Sequence, residues 1–239
     1  MENDPAQSGA TKDELTRILN VERIEDNFFR GIETPSGEGR MFGGQVLGQA
    51  LMAAMRTAPD DKVNHSLHAY FMRPGDATKP VLYRVERDMD GNSFATRRVI
   101  AVQNGQPILN MAASFQVQEK GMAYTTEMPA DIPAPEDCPN ERELADTYAD
   151  RMPEAFLKFL RTDRPIEIRP CSFTAPFSQE PTFGESFRWI RARGTMPKDE
   201  NLHRSALAYA SDFGLLGAAL AVHGLTFLSE GLRVASLDH

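Results

Sequence analysis

Asp212 is the only charge in the apolar run from Ala206 to Val222, and it is the residue of this chain best suited to chemistry. Burial disfavours an ionised carboxyl group, raising its pKa from about 3.9 toward values at which it accepts a proton near neutrality. Such a group can act as a general base on water. The competing reading is a carboxylate that only accepts bonds from neighbouring backbone or serine groups. His65 and His68 flank Ser66 and Leu67, a spacing open to ligands or bases and equally to ordinary core or loop histidines. Arg97 and Arg98, with Arg191 and Arg193 on one strand face, could meet phosphates, although solvated sheet faces look the same. A Ser-His-Asp triad would draw on His223, His239 and Asp238, but no G-x-S-x-G pattern is present to carry the nucleophile. Cys138 and Cys171 lack C-x-x-C spacing and a histidine cluster, which suggests neither a zinc site nor a disulfide framework and fits a reducing cytoplasm.

The frame that must position these residues is an ordinary globular one. With 239 residues the chain has room for one large domain or two small ones, and 41% hydrophobic with 25% charged residues excludes disordered, collagen-like and coiled-coil classes. Lys and Arg number 26 against 34 Asp and Glu, a net charge of −8 that argues against sequence-independent nucleic-acid binding. The acidic Met1–Pro5 segment carries no secretory pattern, and Ser236-Leu237-Asp238-His239 is not a peroxisomal address. The run 206–222 reaches only the short limit of the ~17–25 residues of a membrane span. Its Gly214, Gly217, alanines and single acid predict instead a helix buried all round inside the protein, with no membrane span.

Periodicity divides the chain into two similar halves. Residues 1–14 read as a tail, with a Thr11–Glu14 capping box opening a short helix through Leu15, Ile18 and Leu19. Val21–Arg30 is strand-like and ends at the turn cluster Thr34-Pro35-Ser36-Gly37. The charge-free segment Gly44–Met55 predicts a buried helix. Strands follow over 64–72, 81–86, 94–103 and 107–117, with turns at Asp90-Gly91-Asn92 and Asn104-Gly105. Residues 119–165 form a proline-rich linker holding a short helix capped by Asn140 and Glu143 that stops near Pro153. Beyond it, strands at 166–168 and 187–191, the helix 202–222 and a strand from Val234 to Leu237 repeat the first half. Ser66-Leu67-His68 and Ser236-Leu237-Asp238-His239 open corresponding strands, so the second copy lacks the meander that follows Ser66 in the first.

The ordered motifs Phe42-Gly43-Gly44-Gln45-Val46-Leu47-Gly48-Gln49-Ala50, His65–Asp76, Asp90–Phe94, Ala113–Gln116, Tyr209-Ala210-Ser211-Asp212 and Leu237-Asp238-His239 resemble the acyl-CoA thioesterase II family. The resemblance runs from about residue 15 to the last. It implies an α+β double hotdog, two antiparallel sheets each wrapped around a central helix: 15–118 as the N-terminal hotdog, 119–165 as linker, 166–239 as a partial C-terminal hotdog. It also implies hydrolysis of fatty acyl-CoA to fatty acid and coenzyme A without metal or organic cofactor; hotdog proteins commonly associate through their sheets, so a homo-oligomer is expected, and the cysteine usage points to the cytoplasm.

In such a family the attacking water is held by an Asp, a Ser or Thr, and a Gln, and the matching positions are Asp212 and Ser236. The Gln has no counterpart, because the family chain continues past this Asp-His pair. Gln116 occupies the equivalent place in the first copy and is read as structural. The alternative function is therefore a remnant that binds acyl-CoA or associates without hydrolysis. A hotdog hydratase or dehydratase would need a histidine base at the central helix, which the Asp212 and Ser236 positions oppose.

Overall fold

A computed structural model of the chain describes residues 13–34, 39–171, 180–226 and 229–239. They gather into two compact units. One contains Leu15–Ala123, Met196–Phe213 and Val234–His239; the other contains Tyr124–Thr195 and Gly214–Arg233 with the described residues before Leu15.

In the first unit a six-stranded antiparallel sheet surrounds one helix. Its strands are β1 (Glu22–Glu25), β2 (Phe28–Gly31), β3 (Lys62–Phe71), β4 (Val81–Asp90), β5 (Phe94–Gln103) and β6 (Gln106–Val117), in the order β1-β2-β4-β5-β6-β3. Period-two alternation sends Val81, Tyr83 and Val85 of β4, and Ala95, Val99 and Ala101 of β5, to the buried face. Asn104 and Gly105 both adopt positive φ, 49° and 72°, the backbone that a two-residue turn needs to match the twist of its strands. The buried face wraps α2 (Gly43–Met55), of which every residue from Gly44 to Met55 is buried. Two glutamines there substitute for apolar residues because their amides are satisfied. Gln49 Nε2 donates to the Ile18 carbonyl at 2.6 Å while its Oε1 accepts the Tyr83 hydroxyl at 2.7 Å. Gln45 donates to the Ile32 carbonyl and accepts from Thr34 Oγ1, each at 3.0 Å. These bonds tie α2 to the end of α1 (Glu14–Leu19) and to the chain leaving β2.

The second unit holds α3 (Glu141–Thr147), α4 (Glu154–Arg161), a two-stranded sheet of β7 (Ile166–Pro170) and β8 (Arg188–Ala192), and α6 (Leu215–Ala221). Asn140 and Glu143 form the expected reciprocal cap of α3. Arg169 of β7 donates to the Cys138 carbonyl at 2.7 Å, tying the proline-rich segment to the sheet.

Four expectations change. Val21–Arg30 is a hairpin of β1 and β2, turning at Asp26 and Asn27, and not a single strand. The linker carries α4 beyond Pro153, starting from a proline whose missing N–H costs nothing at a helix entrance. The helix expected at 202–222 is two helices, α5 (Glu200–Ser211) and α6, because Gly214 takes a left-handed φ of 88°. Nor is the run buried all round, since Leu207 and Leu215 are 71% and 69% exposed. Finally, Val234–Leu237 forms no strand; a single bridge joins Asp238 to Tyr70 of β3. The expected Thr11 cap and most of the Thr34–Gly37 turn lie outside the described residues. Among the described residues no helix is long and apolar enough to cross a membrane.

Candidate active site

The site forms where the end of α5 meets the start of α2, within the first unit. Gly44 and Gly48 lie four residues apart, on one face of α2, and let α5 approach closely. A Cβ at Gly44 would stand 2.3 Å from the Tyr209 carbonyl oxygen, and one at Gly48 would stand 3.0 Å from that of Ser205. The Phe42 ring packs against those of Tyr209 and Phe213, at 5.1 and 4.3 Å between centroids, closing the same junction.

Asp212 caps the C-terminus of α5, and its carboxylate reaches the N-terminus of α2, where the Gly44 N–H donates to it. The missing side chain of Gly43 makes room for it, because a Cβ there would stand 2.8 Å from Asp212 Oδ2. Burial raises the pKa of Asp212, opposed by the Gly44 N–H and by the charge of His239. His239 Nδ1 lies 3.9 Å from Asp212 Oδ1, and its Nε2 lies 2.9 Å from Ser211 Oγ. The main chain fixes His239 from the other side: its N–H donates to the Ala69 carbonyl at 2.9 Å and its carbonyl accepts from Ala69 N–H at 2.8 Å.

Ser236 is exposed and lines a cleft of about 240 Å³ with Gly43, Phe71, Arg40, Arg73 and Leu237. Both Asp212 and Ser236 thus border Gly43, although among the described residues no hydrogen bond joins them.

The other sequence candidates separate from this place. Arg97 is fully buried and structural, donating to Thr57, Met89, Thr96 and Asp90, so it does not meet a solvent-borne phosphate. Arg98 is exposed and paired with Glu86 and Asp88. Arg191 pairs with Glu167, and Arg193 donates to the Ile166 carbonyl. His65 and His68 are exposed, the latter against the Tyr70 ring at 4.9 Å. Gln116 is a half-buried residue of β6, opposite Val63 and Phe94. Of the imagined triad, His223 and Asp238 are exposed and only His239 reaches the site. Among the described residues no cluster of His, Cys, Asp and Glu could hold a metal ion. Ser211 and the Gly44 N–H were not singled out by sequence reasoning. The adjacency of Ser211 to Asp212 and the helix-opening glycine pair were their only signals.

Comparison with known proteins identifies the family. A family model described as the acyl-CoA thioesterase N-terminal domain matches residues 32–116, and one described as acyl-CoA thioesterase matches 157–239. The chain is 39% identical to acyl-CoA thioesterase 2 of Haemophilus influenzae, over 94% of this chain and 78% of that protein. It is 40% identical to human acyl-coenzyme A thioesterase 8, over 94% of this chain and 72% of that one. Among solved structures, the acyl-CoA thioesterase II TesB2 of Mycobacterium marinum superposes with a TM-score of 0.69 at 36% identity, covering 94% of this chain and 75% of that one. The matches span both halves of the sequence, and the chain belongs to the acyl-CoA thioesterase II family, with its hotdog fold.

Proposed function

We propose that this protein hydrolyses fatty acyl-CoA to free fatty acid and coenzyme A, with Asp212 as general base on the attacking water and Ser236 helping to hold that water. The observation that carries the reading is the partly buried Asp212 carboxylate seated at Gly43, on the rim shared with the cleft that Ser236 lines, where burial raises its pKa. Asp212 takes one proton from water, and the oxygen attacks the thioester carbonyl. The resulting oxyanion forms near the N-terminus of α2, where helix N–H groups favour negative charge. Coenzyme A then departs as a thiolate, which with a thiol pKa near ~8.5 needs little acid assistance. No metal or organic cofactor is required by this scheme.

The further assignments rest on the sequence. We read 15–118 as the first hotdog, 119–165 as the linker and 166–239 as part of the second. The free thiols of Cys138 and Cys171 suit a cytoplasmic protein. Exposed Tyr70, Leu82 and Phe94 on the sheet suit a homo-oligomer.

The test is release of free thiol from octanoyl-CoA and palmitoyl-CoA by purified protein. Asp212→Asn is expected to lower kcat about 10²- to 10⁴-fold. An Asp212→Asn variant as active as the parent would remove the base from the scheme. Binding of acyl-CoA without any thiol release by the parent protein would favour the non-hydrolytic reading instead.

A further inference from the structure

We infer that His239 is a positioning residue for the reaction: it sets the charge state of Asp212 through its Nδ1 edge while Ser211 and β3 hold its ring in place. The inference rests on Asp212 being the base, and its test is chosen to fail separately.

Ser211 Oγ donates its single proton to the Ala208 carbonyl at 2.9 Å, so at its 2.9 Å contact with His239 Nε2 it must accept. Nε2 therefore carries a proton, and in the neutral ring Nδ1 is bare. That bare nitrogen faces Asp212 Oδ1 at 3.9 Å. Two acceptors face each other across this gap, an arrangement that favours either a proton on Nδ1 or a proton on the carboxyl. Paired backbone bonds to Ala69 fix the main chain of His239, and the Ser211 contact holds its ring. The charge on Asp212 is thus coupled to the charge on His239 by a fixed geometry.

The surroundings leave this coupling largely unshared. From α5 the groups presented are the Ser211 hydroxyl and the Asp212 carboxylate, and from α2 the Gly44 N–H. The paired residue of β3 is Ala69, flanked by exposed His68 and Tyr70, and Asp238 next to His239 is also exposed. His239 is the charged neighbour that bears on Asp212. A protonated ring stabilises the carboxylate, so losing it makes Asp212 hold its proton to higher pH. At a separation near 4 Å in a partly hydrated site, the expected shift is about 0.5–1 pH unit.

The deciding experiment compares pH profiles of kcat/KM on octanoyl-CoA for the parent and His239→Gln, whose amide nitrogen can still donate to Ser211. The acid limb of the variant is expected about 0.5–1 unit higher. Because coupling is reciprocal, the imidazole resonances of His239, followed by NMR across pH, should differ between Asp212→Asn and the parent. This second reading needs no activity and decides the matter even if His239→Gln does not fold. Superimposable acid limbs, or an imidazole titration unmoved by Asp212→Asn, would overturn the assignment of His239. Full activity in Asp212→Asn with the imidazole shift intact would overturn the base and leave the coupling standing.

Discussion

Gly44→Ala separates stability from activity at the junction of α2 and α5. The added methyl would sit 2.3 Å from the Tyr209 carbonyl oxygen and 2.4 Å from the Phe42 ring. The ring can tilt, whereas a helix carbonyl moves only with its helix, so α5 must retreat by about 1 Å to restore ordinary van der Waals contact. Intrinsic propensity favours alanine over glycine in a helix interior by about 1 kcal/mol. Overpacking typically costs about 1–3 kcal/mol, so the net loss of stability is about 0–2 kcal/mol. Activity suffers more, because Asp212 follows Tyr209 by three residues and a displacement of about 1 Å at a reacting group costs about 100-fold. Gly48→Ala is the control. Its methyl meets a flexible Leu19 methyl at 2.7 Å and the Ser205 carbonyl at 3.0 Å, contacts that a rotamer change and a few tenths of an ångström relieve. It should keep activity within about tenfold of the parent. Thiol-release kinetics and urea denaturation on both variants measure the two quantities. Near-parental kcat in Gly44→Ala, or a greater loss in Gly48→Ala, would refute the claim that helix contact at Gly44 places the base.

Three further outcomes follow from particular groups. Ionising Asp212 is less favourable in the native state than in the unfolded chain, so it costs stability, a cost absent below the unfolded pKa of ~3.9 and complete above the raised native value. Asp212→Asn should therefore melt higher than the parent at pH 7, the gap closing as pH falls toward 4, while the parent's kcat/KM falls as pH drops through the raised native pKa of Asp212. Ser205 is buried against α2 with no partner for its hydroxyl among the described residues, so Ser205→Ala should stabilise by about 0.5–2 kcal/mol in urea denaturation. Arg97→Ala strips the partners of Asp90, Thr57 and the Met89 carbonyl and should cost about 3–5 kcal/mol, whereas exposed Arg98→Ala should stay within about 0.5 kcal/mol.

What the sequence made legible was whatever has a short-range cause. The Asn104-Gly105 turn, the Asn140–Glu143 cap and the alternation of Val81, Tyr83 and Val85 depend on neighbours a few residues away, and each is where the residues place it. The charge-free composition of α2 announced its burial, though not that Gln45 and Gln49 would be clamps to Ile32 and Ile18, because their partners are 13 and 31 residues distant. The apolar run 202–222 concealed its break, since hydropathy does not register the left-handed backbone of Gly214. At the site, Asp212 was legible as an isolated acid. Its links to Gly44 and His239 were not, for they arise only when α5, α2 and β3 converge.

That convergence bears on how stretches distant in the sequence build one site. The proline-rich segment divides the sequence into two halves, yet the compact unit that contains Asp212 draws on both sides of it: Leu15–Ala123 with Met196–Phe213 and Val234–His239. The carboxylate comes from α5, its N–H donor from α2, and the histidine beside it is anchored on β3. Gly44 illustrates why the two halves need each other. In an isolated first half it would be a helix glycine with a conformational cost and no compensating contact; beneath α5 it is the position at which a side chain cannot fit. The glycine motif at the start of α2 and the Tyr-Ala-Ser-Asp motif at the end of α5 are therefore two sides of one contact. Substitutions in either should alter the same acid limb of the pH profile.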